Sequence, residues 1–230
     1  MKDIFLVDAD DTVFDFHGAS EKALKIAFHD CNIVWKEEYL EKFRRINAGL
    51  WEALERRELT RGELMERRFP LYLKHLGLQN ADVKAFNEKF LHALANNPIY
   101  IDGAKNFLTE LNKRGRVFIV TNGTEWIQKS RFEIANLYAY AENTFISDTI
   151  GVNKPAKGYT DYVIANIDGF SKDRAVWIGD SLSADIKAAN DANITSIWFN
   201  PKGKSILGEI MPDYVVKTFD EALKILENAE

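Results

Sequence analysis

The chain has 230 residues, of which 46% are hydrophobic and 28% are charged, and its formal net charge at pH 7 is −5. This composition is typical of a globular protein with one substantial core, or with a core and a smaller second domain. The charge gives no general attraction to nucleic acid polymers or anionic membranes. The single cysteine, Cys31, excludes an intramolecular disulfide, and no stretch approaches the roughly 18 apolar residues of a transmembrane helix. We therefore expect a cytoplasmic protein.

Six short apolar runs, rich in β-branched and aromatic residues, predict the strands of a parallel sheet. Most of them alternate with helical patterns, which is typical of an α/β fold. The runs are Ile4–Val7, Val117–Val120, Thr144–Ser147, Ala175–Ile178, Ile194–Trp198 and Tyr214–Val216. Ligands of open α/β sheets bind outside the carboxyl ends of the strands, so the polar residues that follow these runs are site candidates.

An all-helical block occupies residues 16–96, between the first strand and the rest. Its helical patterns cover Ser20–Phe28, Lys36–Arg57, Thr60–Leu76 and Ala81–Leu94. We expect Ser20 to cap the first helix, and Thr60 with Glu63 forms a capping-box pattern. A block of roughly eighty residues is too long for an ordinary connection. It predicts an inserted helical cap, with residues 1–15 and 97–230 forming the core.

Four carboxylates, those of Asp8, Asp10, Asp11 and Asp15, follow the first predicted strand. Side chains alternate along a strand, so Asp8 and Asp10 are expected to project the same way. Two close carboxylates need a cation nearby, unless one stays protonated and serves as a proton donor. A polar turn is the alternative interpretation of the pair, and it is the preferred one for Asp11 and Asp15.

Two further candidates are a cluster after the second strand and a lysine near residue 150. Thr121 and Asn122 precede a helix expected to begin near Glu125, where backbone N–H groups attract phosphate, although both residue types are also common helix caps. Lys154, beside Pro155, is suited to neutralising a phosphate or a carboxylate. A solvated surface lysine is the alternative.

A second pair of acids follows the fourth strand. Asp180 stands at the end of that strand, and Asp185 lies five residues later, where a helix is expected to begin. Oxygen ligands from separate loops are what Mg²⁺ takes. Alternatively, Asp185 only favours the helix N-terminus through the helix dipole.

Taken in order, these residues resemble the four motifs of the haloacid dehalogenase (HAD) superfamily. The first motif is Asp8-Ala9-Asp10-Asp11-Thr12, the second contains Thr121, the third Lys154, and the fourth runs from Gly179-Asp180 to Asp185. The resemblance covers essentially the whole chain. It implies a Rossmann-like parallel core with an inserted all-helical cap of the C1 type.

The resemblance also implies a mechanism for a Mg²⁺-dependent phosphotransferase. Asp8 would be the nucleophile and Asp10 the general acid and base. Mg²⁺ would be held by the Asp8 carboxylate, the Asp10 backbone carbonyl and the Asp180 carboxylate. The phosphoryl group would be bound by Thr121, Asn122 and Lys154, and Asp185 would orient Lys154 or the surroundings of the metal.

The second acid of the first motif, Asp10, narrows the type of reaction that the resemblance implies. A haloacid dehalogenase needs no acid at Asp10, whereas a phosphatase must protonate an alkoxide leaving group. β-Phosphoglucomutases share this acid but usually have glycine at the position of Asp11.

Cap segments containing Asn47 and Arg68 resemble the YjjG-like pyrimidine 5′-nucleotidases, which implies a nucleoside 5′-monophosphate as substrate. These two residues are candidates for substrate contact, with plain packing as the alternative.

Other interpretations stay open at the level of sequence. The enzyme alternatives are a phosphatase for a sugar phosphate or phosphoglycolate, and a phosphoglucomutase. A phospho-receiver domain would be about half this length and would lack the helical block. A binding protein on the same core would retain the reactive positions without using them. The expected partner is a small phosphate monoester, and the sequence does not choose between a monomer and a homodimer.

Overall fold

The computed structural model describes residues 2–206 and 208–228. The chain divides into two compact units, a core unit of residues 1–15 and 99–230 and a helical unit of residues 16–98. Within the described part of the chain, no helix combines the length and apolar character that crossing a membrane requires.

The helical unit consists of four helices packed around fully buried aromatic side chains. The helices are α1 (Phe16–Asp30), α2 (Glu38–Glu55), α3 (Arg61–His75) and α4 (Val83–Ala95). The buried aromatic residues are Phe28, Phe43, Phe69, Tyr72, Phe86 and Phe90. The absence of strands from these residues agrees with the predicted all-helical block.

Two predicted helix caps have opposite outcomes. The capping box at α3 is confirmed, because Thr60 Oγ1 accepts from the N–H of Glu63 and the Glu63 side chain accepts from the N–H of Thr60. The cap predicted at Ser20 is wrong, since α1 begins at Phe16 and contains Ser20 in its interior. The Ser20 hydroxyl donates to the carbonyl of His17 at 3.0 Å, so a serine is accommodated inside the helix.

The core unit is built on a six-stranded parallel sheet with the order β3-β2-β1-β4-β5-β6. The strands are β1 (Ile4–Val7), β2 (Arg116–Thr121), β3 (Asn143–Ile146), β4 (Ala175–Gly179), β5 (Thr195–Phe199) and β6 (Tyr214–Val216). All six predicted strands are confirmed, each to within one residue at either end. The apolar runs predicted them well because both faces of the sheet are covered.

In the described part of the core unit, six helices cover the sheet. They are α5 (Ala104–Arg114), α6 (Glu125–Ile134), α7 (Ser147–Ile150), α8 (Lys157–Ala165), α9 (Lys187–Ala192) and α10 (Phe219–Asn228). On one face, Phe5 and Val7 of β1 share a buried cluster with α5, α6 and α10. On the other face, Ile4 and Leu6 pack with α8 and α9. Apolar side chains therefore cover both faces of β1, and the first polar residue, Asp8, follows the strand.

The strand order determines where a site is expected. Successive strands run outward from β1 through β2 to β3, and then from β4 on the other side of β1 to β6. The order therefore reverses between β1 and β4, and ligands of open α/β sheets bind at such a switch point. Asp8 and Asp180 directly follow these two strands. The turn after β1 has Asp11 in the left-handed region, with φ at 58°.

Candidate active site

The buried ammonium of Lys154 is the centre of the polar cluster at the switch point. Its Nζ donates to Asp8 Oδ1 at 2.5 Å, to Asp185 Oδ1 at 2.6 Å and to the carbonyl of Val120 at 2.9 Å. These three bonds use all three donors of the ammonium. Burial opposes the charged form, but the carboxylates of Asp185 and Asp8 outweigh it and raise the pKa of Lys154. The side chain, 2% exposed, is thus a fixed positive charge.

Asn122 fixes the backbone from which Lys154 projects. Its side-chain Nδ2 donates to the carbonyl of Lys154 at 3.0 Å, and its Oδ1 accepts from the N–H of Lys154 at 2.8 Å. Asn122 follows β2, so these bonds join that strand end to the loop that carries the lysine. The predicted contact of Asn122 with substrate remains a prediction, and the bonds observed here position Lys154.

Asp185 is placed by a tight turn after β4. Residues Leu182–Ile186 form a π-helical turn, and Asp185 Oδ2 accepts from the N–H of Ser181 at 3.2 Å. A Cβ atom on Gly179 would lie 2.3 Å from the Cγ of Asp185, so glycine is required for this approach. Asp185 therefore packs directly against Gly179 at the end of β4, where it accepts the bond from Lys154.

Asp8, Asp180 and Asp185 bring carboxylate oxygens within 4.8 Å of one another. Lys154 bonds to Asp8 and Asp185, and Lys204 Nζ lies 3.9 Å from Asp180 Oδ2, so two ammonium groups face three acids. Burial raises the pKa of Asp8 to about 8 despite the opposing effect of Lys154. Burial, together with the nearby Asp11 and Asp8 carboxylates, raises the pKa of Asp180 well above its usual range. This excess of negative charge and the oxygen-only donor set fit a hard divalent cation.

Asp10 points into a different environment from Asp8. Its Oδ2 accepts from Gln128 Nε2 at 3.0 Å, and its Oδ1 lies 2.6 Å from Arg131 Nη1, an ion pair without the directional geometry of a hydrogen bond. Gln128 Nε2 also donates to Thr121 Oγ1 at 2.9 Å. The carboxylate of Asp10 is absent from the close group formed by the other three acids in the described structure. Through Gln128, Asp10 is instead linked to Thr121.

Sequence reasoning missed Gln128 and Arg131. Both lie on α6 and are 1% exposed. The inward face of this helix also carries Ile127 and Phe132. The signal that could have identified them is this pattern, in which two polar residues stand between apolar residues on the face that helical periodicity buries.

The two candidates outside the core unit are Asn47 on α2 and Arg68 on α3. Arg68 is 2% exposed, and Asn47 is also buried. The Nε and Nη2 of Arg68 and the Oδ1 of Asn47 have no hydrogen-bond partner among the described residues. The guanidinium lies over the rings of Phe69 and Phe90, at 4.8 and 5.3 Å from their centroids, and burial lowers the pKa of Arg68 to about 10.

Comparison with known proteins identifies the family. The sequence model of the haloacid dehalogenase-like hydrolases matches residues 2–193. The chain belongs to the haloacid dehalogenase-like hydrolase family. The resemblance inferred from the four motifs is thereby confirmed, and so is the Rossmann-like parallel core with its helical insertion.

Three relatives of this hydrolase match over nearly the whole chain. YfnB of Bacillus subtilis is 36% identical over 221 residues, covering 96% of this chain and 94% of YfnB. Pyrimidine 5′-nucleotidase PynA of Streptococcus pneumoniae is 30% identical, with 96% and 94% covered. Pyrimidine 5′-nucleotidase YjjG of Escherichia coli is 27% identical, with 97% of each covered.

A solved structure of one relative is also similar. A crystal structure of YfnB bound to magnesium, described as revealing interdomain movement, has a TM-score of 0.92 at 35% identity and covers 98% of each chain. The similarity spans both units of this hydrolase, so the family's fold applies to the whole chain.

Proposed function

We propose that this hydrolase is a Mg²⁺-dependent phosphatase that forms an aspartyl-phosphate on Asp8. The observation that carries the proposal is the buried Lys154 ammonium, bonded to Asp8 and Asp185 beside the Asp180 carboxylate. A carboxylate that attacks an anionic ester needs positive charge to offset the repulsion. Mg²⁺, held by Asp8, Asp180 and the backbone carbonyl of Asp10, would supply part of that charge.

The protein's own residues divide two half-reactions between them. In the first, an oxygen of Asp8 bonds to phosphorus while the ester P–O bond breaks, and Asp10 gives its proton to the leaving oxygen. In the second, water attacks the same phosphorus, its proton passes to Asp10, and the bond from Asp8 to phosphorus breaks. Thr121 binds the phosphoryl oxygens, and the positive charge of the nearby Lys154 ammonium offsets their negative charge through both steps. Asp185 keeps Lys154 in place.

We further propose nucleoside 5′-monophosphates, pyrimidine ones in particular, as the substrate class. Two relatives that match over nearly their whole length are pyrimidine 5′-nucleotidases. In the helical unit, the buried guanidinium of Arg68 has no acidic partner in the described chain, and the carbonyl oxygen of Asn47 has unused capacity as an acceptor. Such groups suit the carbonyl and N–H edge of a pyrimidine or another polar leaving group.

A phosphate-release screen tests the substrate class. It compares dTMP, dUMP, UMP and AMP with sugar phosphates, phosphoglycolate and p-nitrophenyl phosphate, each with and without Mg²⁺. The proposal expects the pyrimidine monophosphates to have the highest kcat/KM. If sugar phosphates or phosphoglycolate match them, the nucleotidase assignment fails while the phosphatase assignment stands. If no ester is hydrolysed, both fail.

Metal binding is expected to stabilise the core unit in a pH-dependent manner. A carboxyl whose pKa is raised from 3.8 to about 8 on folding, as for Asp8, destabilises the metal-free fold progressively as pH rises through that window. Mg²⁺ binds the ionised form, so its stabilising effect grows from pH 6 to pH 8. At a Mg²⁺ concentration about 100 times its Kd, the free energy of unfolding at a given pH rises by about 2.7 kcal/mol. This corresponds to an increase of roughly 5–10 °C in Tm.

Differential scanning calorimetry with Mg²⁺ or EDTA measures this effect. Asp180→Asn is expected to remove most of the shift, while the exposed Asp173→Asn is the control that keeps it. Equal shifts at pH 6 and pH 8, or a full shift in Asp180→Asn, would contradict the assigned ligands.

Replacing Arg68 by methionine tests its proposed contact with the nucleoside. Loss of a hydrogen bond to a charged group costs about 1.5–3 kcal/mol, so kcat/KM for dUMP is expected to fall roughly 10- to 100-fold. The value for p-nitrophenyl phosphate, which lacks the nucleoside, should change less than threefold. Stability should not fall, because a buried unpaired charge is replaced by an apolar side chain of similar length.

The neighbouring Arg67→Met provides a matched control for Arg68→Met. Arg67 lies on the same helix, is 55% exposed and pairs with Glu63, so its removal should leave kinetics on both substrates unchanged. Equal losses on dUMP and p-nitrophenyl phosphate in Arg68→Met would show that Arg68 only packs the helical unit.

A further inference from the structure

Gln128 and Arg131 are buried polar side chains of the core unit that the proposed reaction does not use. A buried guanidinium is costly unless it is paired. Arg131 Nε and Nη2 have no hydrogen-bond partner among the described residues, while Nη1 donates to Gln128 Oε1 at 2.7 Å. The Asp10 carboxylate lies within ion-pair distance of Arg131, with Oδ1 2.6 Å from Nη1. The ion-pair partner of Arg131 is therefore Asp10, the proposed general acid and base.

Gln128 connects the same carboxylate to the proposed phosphoryl site. Its amide Nε2 donates both to Asp10 Oδ2 at 3.0 Å and to Thr121 Oγ1 at 2.9 Å. Its Oε1 is occupied by Arg131, which fixes the amide orientation. Each end of the Gln128 amide is thus satisfied, and a rotation of this side chain would break three bonds at once.

The surroundings keep this pair in one arrangement. A Cβ atom on Gly123 would lie 2.3 Å from the Cγ of Gln128, so the glycine provides the space that the glutamine occupies. On the other side, the guanidinium of Arg131 lies over the ring of Phe14, 4.9 Å from its centroid. Phe14 is itself fully buried. Packing therefore restrains both side chains that contact Asp10.

We propose that Gln128 and Arg131 are positioning residues that hold the Asp10 carboxylate at a fixed position relative to Thr121. The inference rests on the proposed phosphatase function. Asp10 must transfer a proton to the leaving oxygen in the first half-reaction and accept one from water in the second, and both transfers require hydrogen-bond reach. A displacement of about 1 Å at such a group can cost on the order of 10²-fold in rate.

Leaving-group chemistry separates positioning of Asp10 from general structural support. p-Nitrophenolate leaves without a proton, so the first half-reaction with p-nitrophenyl phosphate does not need Asp10 as an acid. The second half-reaction needs it as a base. When Asp10 is poorly held, the phosphoenzyme should form at the normal rate and be hydrolysed slowly.

Rapid-mixing kinetics of Gln128→Met and Arg131→Lys with p-nitrophenyl phosphate and Mg²⁺ test this. Both variants preserve much of the side-chain volume, and circular dichroism checks the fold. We expect a burst of p-nitrophenol at a rate within threefold of the native first turnover, followed by a steady-state rate about 10²-fold lower. With a nucleoside monophosphate, whose leaving group needs a proton, the variants should show no burst of nucleoside. Lys129→Met, an exposed position on the same helix, should behave as native.

A double-mutant comparison provides the decisive readout. If Gln128 acts through Asp10, Gln128→Met should cause less than a threefold further loss in an Asp10→Asn background. A loss of equal size in both backgrounds, or equal slowing of the burst and the steady state, overturns the inference and leaves the proposed function standing. If the native protein hydrolyses no phosphate ester, the proposed function is overturned, and the inference falls with it.

Discussion

Replacing Asp8 by asparagine is expected to lower kcat for phosphate monoesters by at least about 10⁴-fold, the scale on which removing a covalent nucleophile acts. Asparagine matches aspartate in size but its amide does not attack phosphorus. Burial disfavours the ionised form of Asp8 and raises its pKa to about 8, so a neutral residue is compatible with the site. The Tm without Mg²⁺ should stay within about 3 °C of the native value. Phosphate release and calorimetry on the same preparation measure both effects.

The matched control is Asp11→Asn, three residues further along the chain. Asp11 adopts a positive φ of 58°, a conformation that asparagine also tolerates. The variant removes one carboxylate from the same loop, and kcat should remain within about threefold because no step is assigned to Asp11. A large loss in Asp11→Asn, or residual turnover above 1% of native in Asp8→Asn (roughly the 10²-fold scale of a supporting group), would contradict Asp8 as nucleophile.

The second large effect is expected for Lys154→Met, which affects both stability and rate. The substitution leaves the buried carboxylates of Asp8 and Asp185 and the carbonyl of Val120 without their shared donor. Removing one partner of a buried ion pair costs about 3–5 kcal/mol, and losing a fixed positive charge at the phosphoryl group costs about 10²–10³-fold in kcat/KM. Urea unfolding in EDTA and steady-state kinetics in Mg²⁺ measure the two effects separately.

Two companion variants make the Lys154 result specific. Lys157→Met removes an exposed lysine paired with Asp161, so it should change stability by less than about 1 kcal/mol and leave kinetics unchanged. In Lys154→Met/Asp185→Asn, one stranded charge is neutralised, which should restore part of the stability but none of the rate. Recovery of activity in this double variant would show that Lys154 only neutralises Asp185.

Sequence analysis predicted the strands and most core positions of the site because local patterns determine them. Apolar runs gave all six strands, and the polar residues that end β1, β2 and β4 led to Asp8, Thr121 and Asp180. The structure brings Asp8, Lys154, Asp180 and Asp185 together. Their chemical roles remain predictions for the experiments above.

Other features depend on contacts between distant residues, which a single sequence does not reveal. Asn122 bonds to the backbone of Lys154, 32 residues away, and a residue type common at helix ends gives no hint of this. Gln128 contacts Asp10 across 118 positions. The helical periodicity of α6 could have indicated that Gln128 and Arg131 are buried, but it could not have indicated that Asp10 is their partner. The cap predicted at Ser20 was wrong because serine also bonds well inside a helix.

Trapping the covalent intermediate tests the central claim most directly. The native protein is mixed with a phosphate monoester and Mg²⁺, quenched in acid during the first turnovers, reduced with borohydride and digested for peptide mass spectrometry. An aspartyl-phosphate at Asp8 predicts conversion of that residue to homoserine, only with substrate and Mg²⁺ present and not in Asp8→Asn. Turnover without any modified peptide, or modification at Asp10 or Asp180 in place of Asp8, would contradict the account.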